Sequence, residues 1–185
     1  MIYVFLAEGF EEIEAITPID MLRRCGLDVV TVGIGGNYIT GSHGITVNTD
    51  IEDRNILLDE NIEMIILPGG MPGTLNLEAS EHVQKAIDYC IENKKYIAAI
   101  CAAPSILGHK NLLHGKNATC YKGLEDHLIG ANIVFEDVTI DGNIITSRGA
   151  GTALSFSFAL IKLLISEEKS EMLRESIIYH EWNWY

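Results

Sequence analysis

Cys101 closes an apolar run, Tyr96-Ile97-Ala98-Ala99-Ile100, and is followed by Ala102-Ala103-Pro104, a small-residue turn leading into a helical stretch, Ser105 to His109. A cysteine at a strand-to-helix turn faces unpaired helix amides, so its thiolate is favoured and its pKa is expected to fall. That placement makes Cys101 the candidate nucleophile. For the other three cysteines, Cys25, Cys90 and Cys120, the plainer role of a small buried hydrophobe suffices.

Two further loops follow strong apolar runs. Glu8-Gly9-Phe10-Glu11-Glu12-Ile13-Glu14 comes after the first, and Pro68-Gly69-Gly70 after the third. Backbone amides of Gly70 and Ala102 can point at one spot and hold an oxyanion, while Gly69-Gly70 also serves simply as a tight turn. Acidic residues at a helix start stabilise its dipole without any chemistry. A carboxyl buried beside a thiol behaves differently: desolvation and a neighbouring thiolate raise its pKa, so it stays protonated and donates to sulfur.

The elements that must position these groups follow from hydrophobic period. Short apolar runs alternate with stretches of helical spacing, the rhythm of βαβ units and an α/β fold around a mostly parallel sheet. Ile2 to Ala7 reads as the first strand, Glu11 to Cys25 as a helix ended by Gly26, and Leu27 to Ile34 as the second strand. Residues 37–51 suggest a hairpin outside the main winding. Glu63 to Leu67 is a third strand, Ser80 to Asn93 a helix, and Tyr96 to Ile100 the central strand. Strands are also expected over 118–121, 133–140 and 143–147, with Asp141-Gly142 as a hairpin signal. Thr152 to Ile165 then reads as a buried helix. Ser166 caps a last one, with Met172, Leu173, Ile177 and Ile178 as its apolar face, before the aromatic end Trp182-Asn183-Trp184-Tyr185.

Composition narrows the classes. A chain of 185 residues that is 48% hydrophobic and 21% charged is expected to be one packed domain, 1–185, with its C-terminal helix and tail at 166–185. A formal net charge of −13 argues against nucleic acid and against anionic lipid surfaces. No apolar run reaches the roughly 20 residues of a membrane span. Four scattered cysteines without C-x-x-C spacing suit reduced thiols and a cytoplasmic location. Gly33-Ile34-Gly35-Gly36 follows a strand but precedes a turn, so it fails as a dinucleotide-binding fingerprint. No cofactor and no metal site are expected.

Taken together, Ala7 to Glu14, Leu67-Pro68-Gly69-Gly70, Ala98 to Pro104 and Thr146-Ser147-Arg148-Gly149-Ala150-Gly151-Thr152 resemble the DJ-1/ThiJ/PfpI family, in order, over about residues 1–165. The resemblance is nearest to the DJ-1/ThiJ branch. It implies a flavodoxin-like three-layer sandwich and a homodimer, with Cys101 as the reactive cysteine, Glu14 as its partner acid, and Gly70 with Ala102 as oxyanion-type amides. Two departures stand out. Ala102 occupies the position after the cysteine where peptidase-like members carry histidine, which disfavours proteolysis. Tyr121 stands where the DJ-1 branch commonly brings a histidine. Tyr121, Arg148 and His43 are therefore the supporting candidates, His43 from a second subunit, and none of the six histidines acquires a catalytic role from the sequence.

The resemblance implies a cofactor-free glyoxalase or deglycase acting on small 2-oxoaldehydes such as methylglyoxal, or on their adducts. The alternative is an oxidative-stress sensor or chaperone-like protein using the same oxidisable cysteine. A peptidase or amidase is the third reading. The same residues serve the first two, so the sequence alone leaves them open.

Overall fold

The computed structural model describes residues 1–180, so the aromatic end at 182–185 lies outside the described residues. Its centre is a seven-stranded sheet in the order β10-β11-β7-β6-β1-β2-β5. The strands are β1 (Ile2–Leu6), β2 (Val29–Gly33), β5 (Ile51–Glu52), β6 (Met64–Leu67), β7 (Tyr96–Ile100), β10 (Val138–Asp141) and β11 (Ile144–Ser147). Every neighbouring pair is parallel except the β10–β11 hairpin, which turns at Asp141-Gly142 as its residues suggest. The fold is thus the expected α/β arrangement.

Strand β1 shows why both faces must be covered. Ile2, Val4 and Leu6 face one apolar layer, whereas Tyr3 and Phe5 face the other, and all five are buried. Helices α1 (Glu12–Arg24), α5 (Ala153–Leu164) and α6 (Glu167–Ser176) cover the first face, with Leu22, Phe156, Leu160 and Ile161 in its core. Helices α3 (Glu81–Glu92) and α4 (Pro104–His109) cover the second with Val83, Ile87, Ile106 and Leu107. Burial on both faces favours runs of apolar residues over alternation, which is how β6 and β7 read.

The residues 37–51 form the expected hairpin, β3 (Tyr38–Thr40) against β4 (Thr46–Asn48). Carboxylates fasten it. Glu8 accepts from the Thr40 N–H at 3.1 Å, and buried Glu12 accepts from the His43 N–H at 2.8 Å and the Ile45 N–H at 3.4 Å. Glu8 after β1 and Glu12 at the start of α1 therefore anchor a neighbouring element, a task that helix-dipole reasoning alone does not assign.

Three expectations are corrected. Residues after Pro72 form another helix, α2 (Gly73–Ala79), in a stretch before Ser80 for which no element was expected; the run of turn residues before it masked seven helical positions. The segment 133–140 is broken into β9 (Asn132–Ile133), paired with β8 (Asn117–Ala118), and β10, with exposed Phe135 between them. Met172 and Ile178, expected on the apolar face of the last helix, are exposed, so helical spacing overstated their burial.

Candidate active site

The carboxyl ends of β1, β6 and β7 converge, which is where ligands bind in open parallel sheets. Cys101 follows β7 with φ of 64°, the left-handed region that a non-glycine residue enters only under constraint. Its N–H donates to Ser147 O at 2.9 Å and its carbonyl accepts from Tyr121 N–H at 2.8 Å. The turn is thereby clamped between β11 and the segment after β8. Pro104 then opens α4 without losing a backbone bond.

Glu14 reaches the same point from the first turn of α1. It is 1% exposed, accepts from the Gly69 N–H at 3.0 Å, and is bonded to the Ala150 backbone and the Cys101 side chain. Gly69 is required by this approach. A Cβ there would lie 2.6 Å from Glu14 Oε2 and 2.7 Å from Cys101 Cβ. Gly70, with φ of 91°, and Ala102 direct their amides at the sulfur.

The electrostatics correct one expectation. Burial foremost, and the Glu14 carboxyl next, push the Cys101 thiol above its ordinary range, against the opposing N–H donors of Ala102 and Gly70. Helix α4 has only six residues, too little to offset that burial. Glu14 is also raised, to about 7, mainly by burial, with bonds from Cys101 and Gly69 opposing it. Two adjacent negative charges are disfavoured, so the pair holds at least one proton near neutrality. The amides at Gly69 and Ala150 favour placing charge on Glu14. Those at Gly70 and Ala102 favour placing it on sulfur.

A cavity of about 530 Å³ opens over the sulfur, walled by Glu14, Gly70, Cys101, Ala102, Tyr121 and Lys122, among others. Tyr121 is at the rim, 54% exposed. Arg148 lies in an adjoining cleft instead, donating to Phe135 O at 3.3 Å and lying over the Phe135 ring. His43 is outside the cavity, its Nδ1 2.9 Å from Glu12 Oε2. His127 pairs with His109 at 3.0 Å, and His109 with Glu78 at 2.6 Å, so no histidine lines the cavity among the described residues. Sequence reasoning missed Lys122 and Met71 as wall residues; their only signal was adjacency to Tyr121 and Gly70. A different group, Glu11, Glu12 and His43, brings three donor atoms within 4.8 Å of one another. The observed bonds already explain that cluster.

The raised Glu14 has a consequence for stability. Its pKa in the folded state lies above the unfolded value near 4.5, so its protonated form favours folding below pH 4.5. That contribution is lost as pH rises through about 7. Glu14→Gln, which stays neutral, should therefore gain melting temperature relative to wild type between pH 5 and 8, by a few degrees. Parallel melting curves across that window check it.

Comparison with known proteins bears on the family and the fold. Residues 1–163 match the model of the DJ-1/PfpI family. The chain is 38% identical to the protein DJ-1 homolog B of Arabidopsis thaliana over 89% of its own length, and it spans 38% of that longer relative. It is 33% identical to a deglycase of Pyrococcus abyssi, covering 88% of this chain and 98% of the relative. The solved structure of an oxidised DJ-1 from Toxoplasma gondii superposes with a TM-score of 0.92 at 30% identity, covering 97% and 98% of the two chains. A half-buried cysteine beside a buried glutamate at a strained strand-to-helix turn, on a flavodoxin-like sheet, and a family match over most of the length lead to one conclusion: the chain belongs to the DJ-1/PfpI family.

Proposed function

We propose that the chain is a cysteine-dependent, cofactor-independent glyoxalase or deglycase-type enzyme acting on small 2-oxoaldehydes. The observation that carries this reading is the bond between Cys101 and a Glu14 poised near neutral pH, inside a cavity of about 530 Å³ suited to a small carbonyl compound. The deglycase relative adds support.

The steps balance without an external oxidant. Sulfur attacks the aldehyde carbon as Glu14 accepts the thiol proton, and the carbonyl electron pair moves to an oxygen held by the Gly70 and Ala102 amides. Glu14 passes that proton on to the oxygen, which gives the hemithioacetal and returns Glu14 to a carboxylate. Glu14 next moves the C1 proton to C2 through an enediol, so C1 is oxidised while C2 is reduced, leaving a 2-hydroxy thioester. Water hydrolyses the thioester, releasing lactate from methylglyoxal and restoring the thiol.

A second reading rests on the same donors. Peroxide would oxidise the thiol to a sulfinate, accepting from protonated Glu14 and from the Gly70 and Ala102 amides. The oxidised Toxoplasma gondii DJ-1 structure favours keeping it. Peptidase activity has less support, with Ala102 next to the nucleophile and no histidine on the cavity wall among the described residues.

The proposed partner is a second copy of the chain. Exposed Ile13 and Ile16 on α1 lie on the element that anchors the hairpin, which itself exposes Tyr38 and Ile45. Sedimentation velocity should give a dimer, shifted toward monomer by Ile13→Glu; a wild-type monomer at micromolar concentration would discard the partner.

For the activity, purified protein should convert methylglyoxal to lactate. Cys101→Ser should abolish turnover, and Glu14→Gln should lower kcat by about a hundredfold or more. Wild type without turnover, but gaining two oxygens at Cys101 with peroxide, would replace the enzyme by the sensor.

A further inference from the structure

Lys122 is the cationic residue on the wall of the Cys101 cavity, and with Tyr121 it also walls the next cleft, of about 430 Å³, which Arg148 lines. The two spaces therefore adjoin along Tyr121 and Lys122. This placement is unusual for so acidic a chain, whose formal net charge is −13. Most other Lys and Arg side chains are neutralised at close range, as in Arg23–Asp50, Lys110–Asp88 and Lys162–Glu167. Lys122 is exposed and has no carboxylate within ion-pair distance among the described residues.

Arg148 is held differently. Its Nη1 donates to the Phe135 carbonyl at 3.3 Å, and the guanidinium lies 5.7 Å from the Phe135 ring centre. A carbonyl oxygen and a ring orient the guanidinium without cancelling its charge. Asp137 shares the cleft, and Glu11 shares the cavity, yet neither forms an ion pair with Lys122 or Arg148. Uncompensated charge facing a concave space raises the local concentration of ligands of opposite sign.

We propose that Lys122 and Arg148 form an anion subsite beside Cys101, selecting carbonyl compounds that carry a carboxylate or phosphate group. The reactive carbonyl sits over Cys101 and its anionic end lies toward the Arg148 cleft, with Lys122 between. As a statement about substrate class this rests on the glyoxalase-type reading. As a statement about binding it can be tested without turnover.

The test uses the full chain and two alkylating probes of nearly equal size, anionic iodoacetate and neutral iodoacetamide. With either, the sulfur forms a bond to the methylene carbon and iodide leaves, so the ratio of the two rates cancels thiol reactivity and reads the local charge. Rates at Cys101 come from intact mass and peptide mapping. The iodoacetate-to-iodoacetamide ratio should fall about fivefold in Lys122→Glu, roughly half as far on a logarithmic scale in Lys122→Gln, and about threefold in Arg148→Gln. Circular dichroism confirms that each variant is folded. A Lys122→Glu ratio within twofold of wild type overturns the subsite.

Inorganic phosphate and acetate, added at constant ionic strength, then distinguish the two anions by which of them slows iodoacetate the more. Protection by neither at millimolar concentration also overturns the subsite. Loss of methylglyoxal turnover with the rate ratios intact would remove the enzyme reading and leave the anion subsite standing.

Discussion

The structure turns on one hydrogen-bonded pair, a thiol and a carboxyl brought together out of water by elements distant in sequence. Cys101 arrives at the end of β7 in a left-handed conformation, while Glu14 arrives, buried, from the first turn of α1. A non-glycine residue in such a conformation costs of order 1–3 kcal/mol. The two buried layers and the backbone clamps from Ser147 and Tyr121 must sustain that cost. Gly69 completes the constraint, because a side chain there would occupy the space in which the pair meets.

Burial makes the pair reluctant to carry two charges, and the surrounding amides decide where a single charge resides. The site therefore differs from a simple activated thiolate at a helix start. In the proposed chemistry the sulfur, held as a thiol by desolvation, is released through proton transfer to Glu14, whose pKa near 7 keeps both protonation states accessible. The same arrangement fits both proposed readings, addition to a carbonyl and stabilisation of an oxidised sulfur. Both place new oxygen density where the Gly70 and Ala102 amides point.

Much of this was legible in the sequence because the strongest signals were local. Unbroken apolar runs such as Met64–Leu67 and Tyr96–Ile100 marked the buried strands, and the small residues after Ile100 marked the turn that presents Cys101. The partner acid was legible only through family resemblance, since four glutamates crowd residues 8–14 and nothing local separates Glu14 from Glu12. Glu12, also buried, is pulled down to about 2 despite its burial by bonds from the His43 ring and from backbone amides; Glu14 is raised. That contrast is tertiary. The direction of the Cys101 shift was misread because the helix start could be seen in the sequence and the desolvation could not. Lys122 acquires meaning only from the way the chain after β8 folds across the site.

The central claim is that Glu14 holds a proton beside Cys101 near neutral pH, and carbon-13 NMR of the protein labelled at glutamate Cδ tests it most directly. The resonance absent from Glu14→Gln identifies the residue. The account predicts that this signal titrates near pH 7, well above the ordinary glutamate value of 4.5. A midpoint near the ordinary value of 4.5 would contradict it, leaving a permanently charged carboxylate that could neither donate to sulfur nor carry the proton the proposed chemistry needs.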